Sequence, residues 1–211
     1  MITLPEMPPS IAKLPRDERG YPCPWFISWI DGKPEFRAMD GAKLRLAIRN
    51  KLCWVCGERL EPKTMTFVIG PMCSVNKISA EPPSHRVCAE FSAKGCPFLS
   101  KPKAVRRLAG LPECAENPAG VMIERNPGVT CLWHCGGYEI IRHGEGLLFS
   151  INNPSQVHWY CEGRLATRAE IMESIETGLP LLQKMAESQG ADSIRELGWA
   201  VDRAMKFVPK E

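Results

Sequence analysis

Two pairs of metal-ligating side chains constrain this chain more tightly than any other feature: Cys53-Trp54-Val55-Cys56, followed by Gly57, and His85-Arg86-Val87-Cys88. Thiolates separated by two residues can turn toward one ion in a tight knuckle, and a glycine after the second lets the backbone reverse. At a helix start, positions i and i+3 share a face, so an imidazole and a thiolate there can reach the same ion. Cys53, Cys56, His85 and Cys88 therefore predict one Cys3His tetrahedron around a structural zinc ion. Cys73 and Cys96 are the alternatives, each near enough in sequence to replace His85 or Cys88. Packing as small buried hydrophobes is the other use such cysteines find.

The redox setting follows from what surrounds the ten cysteines. No apolar run of 18 residues and no basic start followed by an apolar stretch is present, so neither a membrane span nor a secretory leader is predicted. Cysteines in that setting read as thiols and metal ligands rather than a disulfide framework, and the cytoplasm is the expected compartment.

Along the chain, six prolines within residues 1–24 predict an extended arm. The aromatic and β-branched run at 25–30, the Asp31-Gly32 turn and residues 35–39 predict a hairpin. Residues 41–51 carry Leu44, Ala47 and Ile48 on one face and predict a helix. A strand at 64–69 leads into a long loop at 72–83, and Ser84 is the expected N-cap of a helix that stops at Gly95. Residues 96–117 read as a link. Strands are then expected at 129–134, 138–142, 147–151 and 156–162, forming a meander. Thr167 and Glu170 have capping-box spacing, and the helix they open is expected to break near Gly178-Leu179-Pro180 before a last helix at 192–207. The fold class is thus α+β: an arm (1–24), a zinc-stabilised basic module (25–107) and an α+β domain with an antiparallel sheet and C-terminal helices (108–211).

A knuckle, a hairpin region and a ligand pair at a helix start resemble a treble-clef zinc module, over residues 52–95. That family includes HNH nucleases, whose resemblance to one another rests on a histidine general base on a hairpin strand. The only histidine between Cys56 and Cys88 is His85, already required as a ligand. The stretches CWVCG at 53–57 and WYCEGRLATRAEI at 159–171 are also similar to those of a group of bacterial and phage proteins of no assigned activity, which implies no catalytic residue. No Walker loop, dinucleotide fingerprint, nucleophile elbow or zinc-deaminase motif is present.

Charge is distributed unevenly. Residues 41–107 hold 13 basic and 4 acidic side chains, a net +9, whereas the flanks together carry −6. Such a block attracts nucleic acid or an acidic protein surface, or else faces the chain's own acidic half. The candidate phosphate contacts are Lys43, Arg45, Arg49, Lys51, Arg86, Lys94, Lys101, Lys103, Arg106 and Arg107. The sequence favours a non-catalytic, zinc-stabilised binding protein. The alternative is a diverged metal- or thiol-dependent enzyme, either HNH-like or using Cys73 with Lys77 nearby.

Overall fold

Asp31 and Gly32 both adopt positive φ, 50° and 74°, the requirement of the two-residue turn whose twist matches paired strands. They join β1 (Ile27–Ile30) to β2 (Lys33–Met39) in an antiparallel hairpin. The computed structural model describes residues 4–61, 64–102, 104–105, 109–111, 119–120, 126–144 and 146–210. It is a mixed α+β chain built on antiparallel sheets. No described helix is long and apolar enough to cross a membrane.

The proline-rich start is not wholly extended. Pro9 opens a short helix, α1 (Pro9–Ala12), because the first helical position needs no backbone donor and favours the φ that proline imposes. After the hairpin, Asp40 caps α2 (Gly41–Asn50), its carboxylate accepting from the Ala42 and Lys43 amides at 2.9 and 3.1 Å. β3 (Met65–Ile69) follows. The expected loop at 72–83 instead holds α3 (Pro71–Asn76) and β4 (Ile78–Ser79). Pro71 again starts the helix, and Met72 and Val75 are buried, so tertiary packing holds an element too short to show periodicity. Helix α4 spans Arg86–Gly95, capped by His85; Ser84 is not the cap, because its amide and carbonyl pair with those of Thr66 on β3.

The four strand candidates of the second half do not form a meander. β5 (Thr130–Cys135) pairs with β8 (Pro154–Cys161), and β6 (Tyr138–His143) pairs with β7 (Gly146–Ile151). The result is one long hairpin that bends where Gly136-Gly137 face Asn152-Asn153. β3 flanks β5, and β8 is extended by β9 (Arg164–Leu165), giving the order β3-β5-β8-β9; β4 flanks β7, giving β4-β7-β6. The partners of β5 therefore come from both sides of residue 107. One core joins them, with Phe67, Met72, Trp133, Phe149, Trp159 and Ile171 among its members.

Thr167 caps α5 (Arg168–Gln189) with both bonds of the capping box, but the helix does not break at Pro180. A side chain in place of Gly178 would lie 2.9 Å from Met72. The glycine thus marks close approach of α5 to α3, and that packing carries the helix through the proline. Helix α6 (Ala191–Met205) folds back on α5. Replacing Thr167 by Ala is expected to lower stability by about 1 kcal/mol, since it orphans the Glu170 amide at the helix start. Urea unfolding of the variant, with an unchanged midpoint as the contrary result, checks this.

Candidate metal centre

The knuckle is built from its own backbone. The Cys53 amide donates to the Glu58 carbonyl at 2.7 Å, the Gly57 amide to Cys53 at 2.8 Å, and the Leu60 amide to Lys51 at 2.8 Å. Gly57 sits at φ 76°, and a Cβ there would come within 2.6 Å of the Trp25 ring. Both the turn and the packing of Trp25 exclude a larger residue. The opposite pair comes from the start of α4, where His85 is the last extended residue and Cys88 lies in the first turn.

These elements bring Cys53, Cys56, His85 and Cys88 together, with one ligand atom of each within 4.8 Å of every other. Cys56 Sγ lies 3.4 Å and Cys88 Sγ 3.9 Å from His85 Nδ1. Ligand bonds of the usual length around a tetrahedral ion place a sulfur and a nitrogen about 3.6 Å apart, so the set fits one ion. His85 Nε2 is 3.0 Å from the Arg59 carbonyl. An oxygen there requires Nε2 to donate, which leaves the Nδ1 lone pair aimed at the thiols. The Cys56 and His85 amides approach Cys53 Sγ at 3.5 and 3.3 Å, and Ser10 Oγ approaches Cys88 Sγ at 3.5 Å. Ile11 of α1, Val55, Leu60 and Phe91 close an apolar shell around the group.

Electrostatics give the cluster its chemistry. Burial opposes ionisation of Cys53, yet hydrogen bonds from Cys56, Cys88 and His85 hold its thiol far below the ordinary range. Hydrogen bonding to that thiolate, with burial, pushes Cys56 and Cys88 upward; the same hydrogen bond raises His85 against the opposing effect of its burial. One thiolate thus suppresses the next two, and a cation at the centre would let all three ionise together.

Cys73 and Cys96 lie outside the group. Cys73 packs on the main core, where burial pushes its thiol up to about 11; burial also raises Cys96 at the end of α4. Neither is activated as a nucleophile. Lys77, the cation nearest Cys73 in sequence, donates instead to Asn153 Oδ1 at 3.2 Å. Among the described residues, Cys131, His134, Cys135 and Cys161 form no second metal group. Cys131, Trp133 and Cys135 face the main core, as strand alternation requires.

No known family model, curated protein or solved structure matches this chain.

The basic candidates are divided by their surroundings. Lys43 is half-buried, donating to the Ile27 carbonyl at 2.9 Å and facing Asp40 at 3.6 Å. Arg86 pairs with Glu90 at 2.9 Å and reaches Gln156 at 3.1 Å, and Lys94 lies over the Tyr160 ring. Arg45, Arg49, Lys51 and Lys101 are exposed and make no ion pair among the described residues. Lys103, Arg106 and Arg107 lie outside the described residues. No salt bridge among the described residues joins the block at 41–107 to the acidic C-terminal half.

Sequence reasoning missed a polar chain beside this centre. Buried Thr66 Oγ1 lies 2.8 Å from His134 Nδ1, and His134 Nε2 lies 3.0 Å from His158 Nδ1. A lone histidine on a strand gave no signal of it, because its partners come from two other strands. Burial, with Arg86 and His158 adding, pushes His134 down to about 4, against a small opposite pull from Glu90.

Two predictions follow the geometry. Cys53→Ser and Cys88→Ser should abolish a stoichiometry of one divalent ion per chain, while Cys73→Ser and Cys96→Ser leave it intact; elemental analysis decides, and equal metal in all four variants contradicts the ligand set. His134 is depressed in the folded chain, so its neutral form stabilises fully above about pH 6.5, and that contribution is lost as pH falls toward 4. The loss is roughly 2–3 kcal/mol. Between pH 7 and 4.5 the wild type should therefore lose more stability than His134→Gln, measured by urea unfolding at each pH, with parallel curves as the contrary result.

Proposed function

We propose that the chain is a zinc-stabilised, non-catalytic binding protein that contacts nucleic acid through the exposed cations at the end of α2. A Cys3His set suits zinc, since soft thiolates and imidazole select it and four protein ligands complete its tetrahedron. A complete set leaves no open position for water or substrate, which supports a structural role. The knuckle and the ligand pair at the start of α4 support the treble-clef resemblance.

The observation that carries the binding reading is the pair Arg45 and Arg49, one helical turn apart, with Lys51 beyond them. All three are exposed and without an ion-pair partner among the described residues, directly before the first metal ligand. The knuckle would hold this helix end rigid, and unpaired cations on a rigid element favour phosphate. The half-buried Cys73 thiol is pushed up rather than down by its surroundings, which removes support from the cysteine-based enzyme reading.

If three phosphates are neutralised, affinity for duplex DNA should fall roughly 40-fold between 50 and 200 mM salt. Arg45→Glu with Arg49→Glu should flatten that dependence and weaken binding alike across sequences, while leaving the metal content unchanged. Fluorescence anisotropy with labelled single- and double-stranded DNA and RNA measures both. No binding of the wild type at 50 mM salt refutes the nucleic-acid reading and leaves an acidic protein surface as the partner for these cations.

A further inference from the structure

A second cationic feature lies away from α2, in a cavity of about 280 Å³ between α3, α6 and the bend of the long hairpin. Its opening comes from residue size: Ala200 and Ala204 present only methyl groups to it from successive turns of α6, opposite Val75 of α3. Lys77, Arg203 and Lys206 all line it, together with Asn153 and the half-buried ring of Phe207, and no carboxylate among the described residues does. None of the three cations makes a salt bridge among the described residues.

This local excess is the reverse of its setting, since residues 108–211 carry 14 acidic against 9 basic side chains. The partial negative charge at the end of α6 accounts for one cation in its last turn, where Arg203 stands. It does not account for Lys77, which comes from a different element more than 120 positions earlier. Lys77 is also held at φ 56°, a conformation that disfavours side chains other than glycine and asparagine. Its ammonium donates to Asn153 Oδ1 at 3.2 Å, which sets the charge beside the cavity although the backbone there would suit a smaller residue.

We infer that this cavity binds a small organic phosphate monoester, its dianion held by Lys77, Arg203 and Lys206 and its apolar body resting against Phe207 and the two alanines. A phosphate monoester carries close to two negative charges near neutral pH and offers three acceptor oxygens. An arginine fork and two lysines match that charge better than they match a single carboxylate. None of the residues that line the cavity comes from α2, so the site is separate from the α2 face.

The test is calorimetric titration of the full metal-loaded chain with phenyl phosphate as the probe, at low salt. One site is expected, with phenol and benzoate each at least tenfold weaker and inorganic phosphate weaker than phenyl phosphate. Arg203→Gln with Lys206→Gln should weaken phenyl phosphate at least tenfold. Lys77→Asn should do the same without loss of thermal stability, because asparagine tolerates the left-handed backbone. Arg45→Glu with Arg49→Glu should leave the affinity unchanged. Absence of binding by wild type, equal affinity for phenol or benzoate, or undiminished binding in both cavity variants overturns the inference. A loss confined to the α2 variant places the anion at the other face and overturns it equally.

Discussion

Strand β5 is buried on both faces along its whole length, and each cover comes from a different part of the chain. On one face Cys131, Trp133 and Cys135 meet the core shared with α5 and α6. On the other, Leu132 packs with Ala89 and Ala93 of α4. A fully buried apolar side chain contributes on the order of 2 kcal/mol relative to exposure, so both covers are needed to keep the strand dry. α4 is in turn the helix whose start supplies His85 and Cys88 to the Cys3His cluster. The Cys3His cluster and the central strand therefore share one element, so loosening α4 disturbs both.

That coupling bears on function. The metal group is enclosed by α1, the knuckle and Phe91, so its chemistry is directed inward. What faces outward is charge, on α2 and at the mouth of the cavity beside α6. A buried, neutral His134 adds a second polar constraint at the seam between β3, β5 and β8, where a proton is costly because little water can reach it.

The convergence of Cys53, Cys56, His85 and Cys88 was legible because their spacing is itself the chemistry: two thiols in a knuckle and an i, i+3 pair at a helix start can close on one point without knowledge of the rest. The Asp31-Gly32 turn and the Thr167 capping box were legible for the same reason, since each is a contact within four residues. The choice of His85 over Cys73 was open in sequence. Packing decided it, by turning Cys73 into the main core through α3.

Local chemistry therefore determined the hairpin turn, the helix cap, the alternation of β5 and the four residues that converge as a Cys3His cluster. Tertiary structure decided what those elements meet. Four alternating strands separated by turn residues are compatible with a meander or with one bent hairpin, and only the pairing of β5 with β8 and of β3 and β4 along its sides distinguishes them. Pro180 removes a backbone donor in either setting, yet α5 runs through it because contacts with α3 and α6 outweigh one lost bond. The Thr66–His134–His158 chain and the three cations at the cavity have the same origin. Their members lie far apart in sequence, so no local pattern records them, and they become neighbours only once the sheet and the last helix are packed.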